Sequence, residues 1–230
     1  MRYDTAAFVD LDGTLCDIYL WQALFRHHRQ LCFKRAAMVA FIAFHMPLWL
    51  LSKARLLSRE FFYRTNAANL AWLVGGVSIE RAKEIWEWLL ENETIPHLRP
   101  EMQAAIEDHK SQGHRVILLS GSFTPFVDAL AARLGVEGAI ATPLAVKNGR
   151  YTGKIVPPIN VGQGKVERLE RFLDGPGKEI DLAASYFYTD SIVDASVLEM
   201  FGHPVAVYPD PELANLAAAR GWPVIGHRRE

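Results

Sequence analysis

The chain has 230 residues, half of them hydrophobic and 22% charged, with a formal net charge of −1. That composition belongs to a folded soluble protein and excludes a disordered segment, and the length fits one domain or one domain carrying a sizeable insertion. A charge so near zero supplies no overall field to gather nucleic acid or acidic membranes, so specificity must reside in a site.

Residues 1–4 lead into a strand-like run without the apolar core or small-residue cleavage pattern of a signal peptide, so the mature protein is expected to start at Met1. Residues 6–10 form the first expected strand. From about residue 17 to residue 94 the pattern is helical with no convincing strand, which reads as an inserted helical domain. Within it, residues 36–51 are almost continuously apolar, flanked by Lys34 and Arg35 before and Lys53 and Arg55 after. As a helix this run would be about 24 Å long, short of a hydrocarbon core of about 30 Å, and His45 and Pro47 interrupt it. A buried helix pair in a cap is the favoured expectation, with interfacial membrane contact the alternative. Ser78 is placed to cap a helix running to about Glu93, with Ile85, Trp86, Trp88 and Leu89 on its apolar side. The Trp and Phe residues of this region read as core rather than as a ligand cage.

Beyond the insertion, helices are expected over residues 101–111, 124–134, 165–173 and 211–220, with Gly113, Gly135 and Gly221 at C-cap positions. Between them lie strands over residues 115–120, 186–189 and 205–208. Lys147-Asn148-Gly149-Arg150 marks a hairpin within residues 144–154, and Pro157 and Pro158 open a loop running through Gly162 and Gly164. Alternating strands and helices predict an α/β fold, a Rossmann-like parallel sheet with helices on both faces. Residues 1–16 and 95–230 then make the catalytic core, and residues 17–94 a helical cap domain. Cys16 and Cys32 have neither a metal-ligand spacing nor the density of a disulfide scaffold, so a cytoplasmic location is expected and Cys16 reads as a small buried hydrophobe.

Asp10 and Asp12 stand at the end of the first strand, where Gly13 permits a sharp turn that aims both carboxylates into one crevice. Asp10 can attack phosphorus while Asp12 protonates the leaving oxygen and later activates water. Alone, the same motif serves equally as an acidic turn held by caps and hydrogen bonds. Ser120, Gly121 and Ser122 end a second strand, where hydroxyls and backbone N–H groups can hold phosphate oxygens, although ordinary βα turns use the same residues. Lys165 follows a glycine-rich loop and can bring positive charge to the nucleophile, and Asp190 and Asp194 end a third strand. Mg2+ prefers hard oxygen ligands, so Asp10, Asp190 and the main-chain carbonyl of Asp12 are the expected protein ligands, with Asp194 orienting them from behind. Four strand-end motifs in this order are far more specific than any one.

Together these motifs resemble the haloacid dehalogenase superfamily, particularly its phosphoserine-phosphatase-like branch. The resemblance spans nearly the whole chain and implies a Rossmann-like core, a mostly helical cap and the roles just assigned. The sequence departs from that branch in the cap: residues 17–21 read Asp-Ile-Tyr-Leu-Trp where relatives carry a Glu, and Val193 stands where an Asn usually precedes Asp194. The expected activity is Mg2+-dependent hydrolysis of a small phosphomonoester through an aspartyl-phosphate intermediate, with phosphoserine, histidinol phosphate or a phosphorylated amino alcohol as the substrate class. Phosphotransfer to another acceptor and a membrane- or protein-binding module on the same fold are the alternatives. Asp17, Tyr19, Trp21, Arg26, Arg55 and Arg64 are candidates for leaving-group contacts, and the sequence leaves the oligomeric state open.

Overall fold

The computed structural model describes residues 4–227, so the expected start of the mature chain at Met1 lies outside the described residues. Strand β1 (Ala6–Val9) leads into a helical stretch containing α1 (Leu20–Gln30), α2 (Arg35–Lys53), α3 (Arg59–Asn69) and α4 (Ile79–Leu89). There follow α5 (Pro100–Ser111), β2 (Arg115–Phe123), α6 (Thr124–Leu134), β3 (Gly138–Thr142), β4 (Leu144–Lys147) and β5 (Arg150–Ile155). The chain ends through α7 (Gln163–Leu173), β6 (Tyr186–Thr189), α8 (Ala195–Leu198), β7 (His203–Val207), α9 (Pro211–Arg220) and β8 (Val224–Ile225).

Six strands form one parallel sheet in the order β3-β2-β1-β6-β7-β8. β1 lies in the middle: the chain leaves it toward β2 and β3, then returns to its other side for β6. A reversal of strand order opens a crevice at the carboxyl ends of the two strands involved. Asp10 follows one of them and Asp190 the other.

Alternation along each strand sorts the sheet's apolar residues into two layers. Ala6 and Phe8 join Ile117, Leu119, Phe187 and Ala206 beneath α7, α8 and α9. Ala7 and Val9 join Val116, Leu118 and Tyr188 in a cluster that continues without interruption into Leu24, Phe41, Leu73 and Trp86 of the helical stretch. The insertion therefore shares a core with one sheet face. Its two ends also meet, because Asp17 N–H donates to His97 O (3.1 Å) and Arg99 N–H to Leu15 O (2.9 Å).

Helices bounded by Pro and Gly, α6 and α9, fall where expected, each ending on a left-handed glycine, Gly135 and Gly221. The hairpin turn has φ of 51° at Asn148 and 70° at Gly149, the paired left-handed residues of a type I′ turn. β2 runs three residues past its expected end, and β7 stops at Val207 because Tyr208 has a positive φ of 43°. β3 and the two-residue β8 were not expected.

The expectation of a buried helix pair over residues 36–51 is not met. A single helix, α2, covers residues 35–53, and only Met38, Phe41 and His45 are buried in it. The two expected breakers do not break it. Pro47 forfeits one intrahelical bond, while His45 turns Nδ1 onto Phe41 O (2.8 Å) and packs its ring against Phe41 and Trp72.

Candidate active site

Beyond Val9 the chain turns back sharply: Leu15 N–H donates to Asp10 O (3.2 Å) and Cys16 N–H to Leu11 O (3.0 Å). Gly13 makes this possible with φ of +87°, a conformation L side chains avoid. A Cβ at Gly13 would lie 2.3 Å from Asp190 Oδ2 and 2.8 Å from the Tyr19 hydroxyl. Glycine is thus what lets the β1 turn touch the carboxylate that follows β6. Thr14 Oγ1 (3.5 Å) and the Tyr19 hydroxyl (3.4 Å) both donate to Asp190.

Asp12 is held on both oxygens. Ser122 Oγ donates to Oδ2 (2.5 Å), and Leu20 N–H, the first amide of α1, donates to Oδ1 (2.6 Å). Burial raises the Asp12 carboxyl above the usual carboxylate range, opposed by these two bonds and by Lys165.

Lys165 lies in the first turn of α7, buried, with Nζ 3.2 Å from Asp10 Oδ1 and 2.6 Å from Asp194 Oδ2. Gly164 admits this approach, since a Cβ there would meet Ile159 O at 2.0 Å. Burial works against the Lys165 charge, but Asp10 and Asp194 override it and hold the ammonium above the ordinary lysine range. Burial pushes Asp10 up to about 8; Lys165 opposes the rise while Asp194, Asp190 and Asp12 add to it. Asp194 also accepts from Thr189 Oγ1 (2.9 Å).

Ser120 is fully buried, and its Oγ accepts from Ser122 N–H (3.1 Å). Asn160 fastens this strand end, its Nδ2 donating to Ser120 O and Ile140 O (2.7 Å each), and Thr142 Oγ1 donates to Gly121 O (2.9 Å). Sequence reasoning missed Asn160, Thr142 and Thr189. Thr189 precedes Asp190 directly and was within reach of motif reading; Asn160, in an irregular loop, carried no such signal.

Among the candidate leaving-group residues, Tyr19 alone touches these carboxylates. Arg26 pairs with Glu93 (2.6 Å), Arg64 pairs with Glu60 (3.4 Å), and Trp21 is 43% exposed. An open groove of about 920 Å³ runs between α3 and residues 157–159, lined by Phe61, Arg64 and Ile155 among others, and no strand-end carboxylate lines it.

The donor chemistry fits a divalent cation. Asp10 and Asp190 are buried carboxylates, the Gly13 turn brings the backbone beside Asp12 against Asp190, and the Lys165 ammonium is bonded to Asp10 and Asp194. Among the described residues no three His, Cys, Asp or Glu side chains converge as a preformed cage. Mg2+ commonly takes one or two carboxylates and completes its shell with water and phosphate oxygens.

A family profile described as haloacid dehalogenase-like hydrolase matches residues 7–199. Among curated proteins, a histidinol-phosphatase from Neisseria meningitidis serogroup C is 29% identical over 153 residues, covering 66% of this chain and 69% of that protein. An inhibition of morphological differentiation protein from Streptomyces azureus is 33% identical over 163 residues, covering 70% of this chain and 58% of that one. A probable phosphatase from Mycobacterium tuberculosis is 31% identical, and this chain spans 56% of its length. Among solved structures, a protein with unknown function from Bordetella pertussis Tohama I superposes with a TM-score of 0.81 at 27% identity, covering 97% of this chain and 99% of that one. A phosphoserine phosphatase in a phospho-aspartyl intermediate analogue state has a TM-score of 0.65 at 20% identity, covering 100% and 96%, a likeness of fold.

Proposed function

The chain belongs to the haloacid dehalogenase-like hydrolase family, and on that footing we propose that it is a Mg2+-dependent phosphatase of small phosphomonoesters, with Asp10 as nucleophile. The observation that carries this reading is the buried ammonium of Lys165 bonded to both Asp10 and Asp194, with the doubly anchored Asp12 two residues beyond Asp10.

Lys165 fixes one oxygen of Asp10 and leaves the other to face phosphorus. As the new O–P bond forms, the ester P–O bond breaks, and protonated Asp12 gives its proton to the departing alcohol oxygen. Asp12 then takes a proton from water, whose oxygen bonds to phosphorus as the aspartyl P–O bond breaks. Inorganic phosphate leaves and Asp10 is restored. The bonds from Ser122 and Leu20 keep Asp12 on one geometry through both half-reactions. Ser120 and the backbone at Gly121 are the proposed phosphate cradle, steadied from behind by Asn160 and Thr142. Asp10, Asp190 and the Asp12 carbonyl would hold Mg2+, which when bound neutralises charge on the transferring oxygens.

Residues 17–94 are the proposed cap, attached through the paired stems at Leu15–Asp17 and His97–Arg99. The relative named histidinol-phosphatase supports an alcohol of amino-acid or amino-alcohol type as the leaving group. Two free thiols, Cys16 buried and Cys32 exposed, suit a reducing cytoplasm. The test is phosphate release from a panel of small phosphomonoesters by wild type and Asp10→Asn, each with Mg2+ and with chelator. Release confined to wild type with Mg2+ is expected; equal background in all four conditions would overturn the reading.

A further inference from the structure

Helix α2 leaves an apolar face uncovered. Val39, Ile42, Met46, Trp49 and Leu50 are between 43% and 67% exposed, and at 100° per residue they fall within one arc of about 100°, beside the stripe of Met38, Phe41 and His45 that packs on the protein, while Phe44 and Leu51 are exposed on the far side. Arg35 and Lys53, five full turns apart, lie at the same angle as this face and close it at both ends, about 27 Å from one another. Lys53 Nζ stands 5.8 Å from the Trp49 ring centroid.

The surrounding charge is one-sided. Residues 18–59 hold seven Lys or Arg and no Asp or Glu, in a chain whose totals are 25 and 26. Arg26 and Arg59 are paired with carboxylates elsewhere in the fold. Arg29, Lys34, Arg35, Lys53 and Arg55 have no carboxylate partner among the described residues.

We propose that α2 docks the protein on an anionic lipid bilayer, lying in the interface with its apolar face in the acyl boundary and its terminal cations among headgroup phosphates. An apolar stripe closed by cations and carrying a Trp is the chemistry of an interfacial helix. The helix lies on the membrane and does not cross it, although it is long and apolar enough. Lys34 donates to Gly75 O at one end, Arg59 reaches Asp210 just past the other, and both belong to the same folded body. A second copy is a poor occupant, because antiparallel pairing of two such helices sets Arg35 of each against Lys53 of the other.

The test is cosedimentation of the full chain with vesicles of phosphatidylcholine alone and of phosphatidylcholine with about a third phosphatidylglycerol. Wild type should bind only the anionic vesicles, and binding should fall as salt is raised. Arg35→Gln/Lys53→Gln should weaken partition about thirtyfold, and Met46→Glu/Trp49→Glu should abolish it. Circular dichroism and hydrolysis of p-nitrophenyl phosphate without vesicles should match wild type in both variants, and the salt dependence of wild type tests the proposal even if a variant misfolds. Failure of wild type to bind either vesicle, binding that ignores lipid charge and survives alkaline carbonate, or a dimer that shields Trp49 while vesicles do not, would each overturn it.

Discussion

Replacing Lys165 by Met removes a buried ammonium and strands two carboxylates. At an effective dielectric near 20, contacts of 3.2 Å to Asp10 and 2.6 Å to Asp194 correspond to gross attractions of about 5 and about 6 kcal/mol. Desolvation of three charged groups consumes much of that, and removing one partner of a buried pair typically costs about 3–5 kcal/mol. Lys165→Met should therefore lose about that much in urea unfolding at neutral pH in chelator. Asp194→Asn in the same background removes one of the stranded charges, and Asp10, already pushed up to about 8 by burial, can take a proton. The double variant should thus be less destabilised than the sum of the single changes, by about 2 kcal/mol. Its activity should not return: loss of a preorganised charge at the reacting group is worth about 10²–10³ in kcat. A coupling within about 0.5 kcal/mol of zero would refute the argument that these groups form one electrostatic unit.

Three further outcomes are expected. Gly13→Ala drives a methyl into Asp190 and Tyr19 at a φ of +87°, and the Mg2+ concentration for half-maximal activity should rise at least about tenfold; an unchanged requirement would show that Asp190 is not a ligand. Asp12→Asn should slow turnover of an alkyl phosphate by about 10²–10⁴-fold, yet give a stoichiometric burst of p-nitrophenolate from p-nitrophenyl phosphate, since that leaving group needs no proton; a burst slowed as much as the steady state would contradict the acid role. His27, whose imidazole is lowered from 6.5 to about 4 by burial, with His28 and Arg81 adding to the fall, stabilises the fold only while neutral. The unfolded chain takes up its proton first, so stability should decline as pH falls from about 6.5 toward about 4 and the decline should be shallower in His27→Gln, measured by thermal melts; identical slopes would remove His27 from the account.

The residues that could be read from sequence are those whose position is fixed locally. Asp10, Asp12 and Asp190 follow short buried strands, and Tyr186–Thr189 was bounded correctly because an aromatic and β-branched run ends abruptly in acid. α6 and α9 were bounded by Pro and Gly for equally local reasons. β3 escaped because Gly-Ala-Ile-Ala-Thr has little intrinsic strand character and is a strand through its pairing with β2. The exposure of α2 escaped for a different reason: an apolar run announces a helix but not what covers it. Asn160 illustrates a third limit, since its work on Ser120 and Ile140 spans 40 and 20 residues of separation.

One bond ties chemistry to shape. Asp12 Oδ1 is held by the amide that begins α1, at 2.6 Å, and such a bond is lost once the atoms part by about 1 Å more. On the proposed reading, with Asp12 as the acid and residues 17–94 as the cap, the aim of the acid depends on where the cap stands. A helical lobe swung away to admit a substrate would leave Asp12 steered by Ser122 alone, so entry and proton transfer would fall to separate states of the molecule, and the closing movement would itself be the step that arms the acid.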